Sequence, residues 1–308
     1  MNIIEDTDTD IEKEEIMNKI RELVVISGKG GTGKSTIVSA FASLAKNKIM
    51  ADCDVDAADL HLIFNPEIKE RENFIGGNVA GLDKDKCIEC GTCLELCRFD
   101  AIRKDFCIDH VSCEGCSVCS HFCPVNAINM NPSVSGETFI SDTRFGPFVH
   151  ARLVPGGENS GKLVTEVRKK AKKLAEEHKF NLIIIDGSPG TGCPVISSLA
   201  GADKILVVTE PTMSGIHDMK RVVELAHNFK LYPSVCINKY DINTDMSNNI
   251  EEYCLSEKID FLGRLPYDNV TTKAMIENKT VIEYSDGNFS KHIKLLWQKL
   301  EKNLAENK

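Results

Sequence analysis

Apolar residues in this chain gather in short unbroken runs separated by stretches of helical composition. Leu23-Val24-Val25-Ile26, Ile49-Met50-Ala51, Leu182-Ile183-Ile184-Ile185, Ile205-Leu206-Val207-Val208, Val235-Cys236-Ile237 and the shorter Phe261-Leu262-Gly263 are apolar at consecutive rather than alternate positions. A strand of that kind must be covered on both faces, the situation of a parallel sheet between two helical layers. Residues 35–45, 163–179 and 214–229 supply helical stretches between the runs. The alternation predicts an α/β fold: a doubly wound, mainly parallel sheet with functional loops at the carboxyl ends of its strands. At the C-terminus Phe289, Ile293, Leu296, Trp297, Leu300 and Leu304 form one helical stripe flanked by Lys291, Lys294, Lys299 and Lys302. A helix packed on the sheet is the expectation there; contact with a membrane surface is the alternative.

With 308 residues, 42% of them hydrophobic, the chain can hold one large α/β domain and a small insert. The formal charge of −9 argues against nucleic acid as a partner, because phosphate binding calls for a basic face. No run approaches a membrane span, and no secretory signal is expected. Residues 5–15 are acidic and read as a solvated tail. Thirteen cysteines without an export signal favour metal or cluster ligation over disulfides, and a cytoplasmic location.

Eight of those cysteines form two copies of one spacing. Cys87, Cys90, Cys93 and Cys97 read C-x₂-C-x₂-C-x₃-C, and Cys113, Cys116, Cys119 and Cys123 repeat it 26 residues on, with Ala101-Ile102 and Ala127-Ile128 closing the two repeats. Paired C-x₂-C units also suit tetrahedral zinc, but two interlocked sets of four favour iron–sulfur clusters. Residues 84–131 resemble the bacterial two-cluster ferredoxins, and the resemblance implies two [4Fe–4S] clusters. One would be held by Cys87, Cys90, Cys93 and Cys123, the other by Cys113, Cys116, Cys119 and Cys97. Arg98 stands where that pattern has proline; Pro124 keeps it in the second repeat. Cys107 lies between the repeats without a matching partner, and Cys53, Cys236 and Cys254 read as small buried hydrophobes. Cys193 follows the Pro189-Gly190-Thr191 turn closely enough to be a candidate functional thiol.

The second chemistry begins after the first apolar run, at Gly28-Lys29-Gly30-Gly31-Thr32-Gly33-Lys34-Ser35-Thr36. Strand, glycine-rich loop and helix in that order make a phosphate cradle of backbone N–H groups, with Lys34 on the terminal phosphates and the Ser35 hydroxyl on Mg²⁺. Spelled Lys-Gly-Gly-Thr-Gly-Lys-Ser-Thr, the loop resembles the deviant phosphate loop of the MinD/ParA class of ATPases, which includes the nitrogenase iron protein and cluster-carrier ATPases. The resemblance covers nearly the whole chain from residue 21. It implies MgATP binding, slow hydrolysis and an ATP-dependent homodimer in which Lys29 reaches nucleotide in the facing subunit. It also implies that Asp54 positions the attacking water, ahead of Asp52 and Asp56. Asp186 would end a Walker B strand near Mg²⁺, the Pro189-Gly190 turn would sense the γ-phosphate, and Asn238 and Pro266 would lie at the adenine.

The expected organisation is therefore an acidic extension over 1–20, a discontinuous ATPase domain over 21–82 and 132–308, and an inserted ferredoxin-like domain over 83–131. Gly76-Gly77, Gly81 and Asn131-Pro132 read as hinges at its borders, and 156–162 as a polar turn. Three functions are carried forward. The first is ATP-gated electron transfer for assembly or maturation of a partner's metallocluster, fed by a small redox protein. The others are a dedicated ATP-driven reductase and a positioning ATPase with structural clusters.

Overall fold

The structure is a computed structural model that describes residues 19–154, 157 and 160–305. The acidic tail and Gly156, Glu158 and Asn159 of the polar turn lie outside the described residues.

The unbroken apolar runs become strands: β1 (Arg21–Ser27), β2 (Lys48–Asp52), β6 (Leu182–Pro189), β7 (Lys204–Thr209), β8 (Ser234–Asn238) and β9 (Asp260–Leu265). Between β2 and β6 lie β3 (Glu67–Leu82), β4 (Ile128–Thr143) and β5 (Gly146–Leu153). All nine form one sheet in the order β3-β4-β5-β2-β6-β1-β7-β8-β9. Its strands pair in parallel from β5 through β9, while β3-β4 and β4-β5 are antiparallel.

Alternate residues of β1 face opposite ways, and each face has its own core. Val24 and Ile26 pack beneath α5 (Ser160–His178), α6 (Cys193–Leu199), α7 (Met213–Asn228) and α8 (Thr244–Ser256). Leu23 and Val25 pack beneath α1 (Lys34–Leu44), α2 (Leu60–Phe64), α9 (Val270–Ile276), α10 (Val281–Tyr284) and α11 (Asn288–Ala305). The six-residue stripe of α11 is entirely buried on the sheet, with the Trp297 ring 5.0 Å from that of Phe41. Among the described residues no helix is long and apolar enough to cross a membrane.

β3 and β4 pair from Glu67 opposite Asp142 to Leu82 opposite Ile128. β5 accompanies β4 only from Gly136 onward. The outer half of the hairpin is thus a two-stranded ribbon of roughly 25 Å. The cysteine-rich segment fits a small domain inserted at its end, containing α3 (Thr92–Leu96) and α4 (Val118–His121). Glycine and proline positions expected to be hinges are instead strand positions: Gly77 faces Ser133, Asn78 faces Pro132, and Gly81 faces Asn129. Pro132 is tolerated because β4 has no second neighbour at that height. Gly76 and Gly77 sit by register irregularities at Phe74, Ile75 and Gly77.

Candidate functional site

Ser27 ends β1, and the loop that follows curls over the carboxyl end of the sheet into α1. Gly33 adopts φ 91°, and a Cβ there would come within 2.3 Å of Asn238 Nδ2. Glycine is therefore required by both conformation and space. Asn238 donates to the Thr32 carbonyl at 2.8 Å, while its Oδ1 accepts from the Lys239 N–H at 3.0 Å. This amide, expected at the base, is thus tied to the loop at Thr32. Pro266 lies buried just beyond β9, and the Tyr267 N–H donates to Asp241 Oδ1 at 2.7 Å.

Lys34 is buried among carboxylates contributed by the end of β2 and by β6. Its Nζ lies 2.5 Å from Asp186 Oδ1 and 3.3 Å from Asp54 Oδ2. Burial alone would lower its pKa, but the charges of Asp186 and Asp54 outweigh that and hold it above its ordinary value. Asp52, at the end of β2, accepts the Asp54 N–H on Oδ1 at 3.0 Å. Burial and the neighbouring Asp186 charge push the Asp52 carboxyl well up, and burial raises Asp54 despite Lys34. Three buried oxygens in this nest have no hydrogen-bond partner: Asp52 Oδ2, Asp186 Oδ2 and Thr32 Oγ1. Two orphaned carboxylate oxygens beside a phosphate-type loop are hard donors that fit Mg²⁺ accompanying a nucleotide. Ser35 and Thr36 are half-buried in the first turn of α1, Gly30 is open, and Gly31 takes φ 79°. Asp56 and Asp59 are exposed, as a solvated loop requires.

Lys29 is held within its own chain. Its ammonium lies 2.5 Å from Glu210 Oε1, 3.0 Å from Ser214 Oγ and 3.4 Å from Thr212 Oγ1. Glu210 also meets Lys239 Nζ at 3.3 Å, and Lys239 donates to the Gly31 carbonyl at 3.0 Å. Sequence reading passed over Glu210, although a carboxylate placed just after an apolar strand was the available signal.

The cysteine repeats recur in the backbone. Left-handed residues occur at Glu89 and Gly115, Gly91 and Ser117, and Asp100 and Asn126, each pair 26 positions apart. Ala101, Ile102, Ala127 and Ile128 are buried between the two halves. Two concavities result. One is lined by Cys97, Cys113, Cys116 and Cys119 with Ala80, Ile102 and Met130. The other is lined by Cys87, Cys90, Cys93 and Cys123 with Leu82, Phe106 and Ile128. Each takes three thiols from one repeat and the fourth from the other. Backbone N–H groups point at sulfur from Ala80 to Cys113 (3.5 Å), Glu89 to Cys87 (3.4 Å) and Ala127 to Cys123 (3.2 Å). Such donors stabilise thiolate. The Thr92 hydroxyl lowers the Cys90 thiol, whereas burial raises Cys93 and Cys119. Four thiols spread around an apolar hollow fit a [4Fe–4S] cubane. Among the described residues no three such side chains gather on one point, as a single zinc ion demands.

The remaining cysteines divide. Cys53, Cys236 and Cys254 are buried in the body, and burial pushes the last two up to about 12. Cys193 is exposed at the start of α6, and Cys107 accepts from Arg103 Nη2 at 3.1 Å. Arg98 is exposed to solvent.

The family model for the CobQ/CobB/MinD/ParA nucleotide-binding domain matches residues 23–281. The chain belongs to that family, whose MinD and ParA members are ATPases. It is 34% identical to an uncharacterized protein of Methanocaldococcus jannaschii over 92% of this chain and 97% of that one. A stretch of 49 residues, 16% of this chain and 60% of the other, is 49% identical to the pyruvate synthase subunit PorD of Methanothermobacter marburgensis. The fold is similar to that of MinD from Pyrococcus horikoshii, solved with Mg-ADP, with a TM-score of 0.57 and 16% identity over 94% of this chain and 99% of that one.

Proposed function

We propose that this protein is a MgATP-driven iron–sulfur protein that gates electron transfer to a partner metalloprotein or cluster-assembly protein while the partner's metallocluster is built. The reading rests on one arrangement above all. The two four-thiol hollows sit at the end of a ribbon that runs unbroken through β4 and β5 to β2, and β2 ends at Asp52 in the nucleotide nest. A change of nucleotide thus has a rigid hydrogen-bonded route to the thiols.

In this reading residues 83–131 form a ferredoxin-like domain inserted in an ATPase domain over 21–82 and 132–308. Cys87, Cys90, Cys93 and Cys123 hold one [4Fe–4S] cluster, and Cys113, Cys116, Cys119 and Cys97 hold the other. When bound, the clusters supply one-electron transfer. The apolar residues around the thiols exclude water, and the N–H groups of Ala80, Glu89 and Ala127 bias the sulfur charge. Gly30 to Thr36 cradle the ATP phosphates, as the neighbour solved with Mg-ADP leads one to expect. Lys34 leaves Asp186 and Asp54 for the terminal phosphates, and Ser35, Asp52 and Asp186 seat Mg²⁺. Once freed from Lys34, Asp54 orients the attacking water. Lys29 serves the facing subunit of an ATP-dependent homodimer, and a small redox protein supplies the electrons.

The test is an EPR-monitored redox titration of anaerobically prepared protein, with and without MgATP. Two [4Fe–4S] signals, at least one shifting in potential or line shape with nucleotide, are expected. Full iron and sulfide loading without a cubane signal would remove the cluster assignment. Two cubane signals indifferent to MgATP would remove the gating.

A further inference from the structure

A lysine ammonium has three donors, and in this structure all three of Lys29 have acceptors in its own chain. These are Glu210 Oε1 at 2.5 Å, Ser214 Oγ at 3.0 Å and Thr212 Oγ1 at 3.4 Å. A lysine so engaged has no donor left for a phosphate in a facing subunit. We propose that Glu210 is a positioning residue that latches Lys29 to its own chain until nucleotide-driven pairing of two subunits displaces it, so that the latch sets how much nucleotide dimerisation requires. This inference rests on the proposed role of Lys29 in the facing subunit.

The geometry around Glu210 is built for holding. The residue follows the last position of β7, and its side chain is 15% exposed, so water screens the pair only in part. The start of α7 is pressed against its backbone: a Cβ on Gly215 would lie 2.3 Å from the Glu210 carbonyl oxygen. Thr212 and Ser214, which complete the lysine's shell, belong to that same turn and cap. Glu210 also grips Lys239 at 3.3 Å, and Lys239 donates to the Gly31 carbonyl at 3.0 Å. One carboxylate therefore holds two cations, one in the phosphate loop and one bonded to its Gly31 carbonyl. Release of Lys29 leaves Glu210 still neutralised by Lys239, which lowers the cost of opening the latch.

The experiment measures dimerisation of the reconstituted full-length chain by sedimentation velocity across a series of Mg-AMP-PNP concentrations, which separates association from hydrolysis. Glu210→Gln is expected to dimerise at a nucleotide concentration about fivefold or more below that of wild type, since a partly buried ion pair no longer opposes release. Ser214→Ala should shift the midpoint in the same direction by less, and it serves in place of Glu210→Gln if that variant does not fold. Lys29→Met should remain monomeric. If the midpoint for Glu210→Gln or Ser214→Ala is unchanged or higher while Lys29→Met stays monomeric, the latch is wrong and the role across the dimer stands. If Lys29→Met dimerises as readily as wild type, the role of Lys29 across the dimer fails and the latch falls with it. If Lys239→Met reproduces the gain of Glu210→Gln, loosening of the loop through Gly31 explains the shift and the latch is overturned.

Discussion

At the scale of single residues, the nucleotide nest is a charge problem solved by Lys34. Asp52 and Asp54 at the end of β2 and Asp186 in β6 are drawn together, and Lys34 is the buried cation that sits among them. Lys34→Ala should therefore do more than remove a phosphate contact. Leaving those carboxylates uncompensated should cost about 3 kcal/mol of stability, and ATP affinity should fall about 100-fold. Mg²⁺ alone should then raise the melting temperature of the variant more than that of wild type; an equal response would show that the orphaned oxygens are not a cation seat. His150 makes a second, independent prediction. Burial, with help from His61 and Arg152, lowers its pKa to about 4, and it stacks on Phe139 and Phe148. The unfolded chain binds a proton near pH 6.5 that the folded chain refuses, so stability is present above that pH and is lost as pH falls toward 4. Between pH 7 and 5.5 the loss should be about 1 kcal/mol. His150→Phe should flatten that part of the profile in urea titrations, and an unchanged slope would clear His150 of the effect.

At the scale of elements, what the sequence made legible follows from burial. β1, β6 and β7 are covered on both faces and spell continuous apolar runs, so their places and the loops they aim were readable from Leu23, Ile183 and Ile205 alone. β3 and β4 left no such trace. Lys69-Glu70-Arg71-Glu72-Asn73 is an exposed edge segment, and beyond Gly136 the hairpin buries only scattered residues, Val79, Ala80 and Ile128 among them. No regular apolar alternation marks its period, and its glycines and Pro132 imitate turn signals. The cysteine spacing was readable because ligation fixes it, whereas the grip of Glu210 on Lys29 joins residues far apart in sequence. The ribbon also carries a prediction. Gly115 sits at φ 62°, and a Cβ there would lie 2.2 Å from the Asn78 carbonyl of β3. Gly91 is equally left-handed at φ 81° but has open space around it. Gly91→Ala should cost about 1 kcal/mol, from backbone strain alone. Gly115→Ala should cost clearly more and loosen the Cys113 hollow, seen as preferential loss of one cluster's EPR signal. Equal costs would mean that the insert does not bear on β3 at that point.

At the scale of the whole molecule, the two chemistries are separable in their ligands and joined through the sheet. No cysteine of either hollow touches the nest of Lys34, and no residue of that nest lines a hollow. Loss of a cluster should accordingly leave nucleotide binding intact while removing part of the response to it. Cys90→Ser removes a thiol from the hollow lined by Leu82 and Ile128, at the far ends of β3 and β4. Cys116→Ser removes one from the hollow lined by Ala80 and Met130, two residues nearer the body along the same strands. Each variant should lose about four of eight irons on reconstitution while keeping its ATP affinity in equilibrium dialysis. The cluster left in Cys90→Ser is held beside the Ala80 N–H, inside the strand that leads back to the nest. It should still shift with MgATP. The cluster left in Cys116→Ser is tied to the strand ends and should shift less. Eight irons in either variant would refute the ligand role of the cysteine replaced. A larger shift in Cys116→Ser would mean that the signal reaches the insert by some path other than the ribbon.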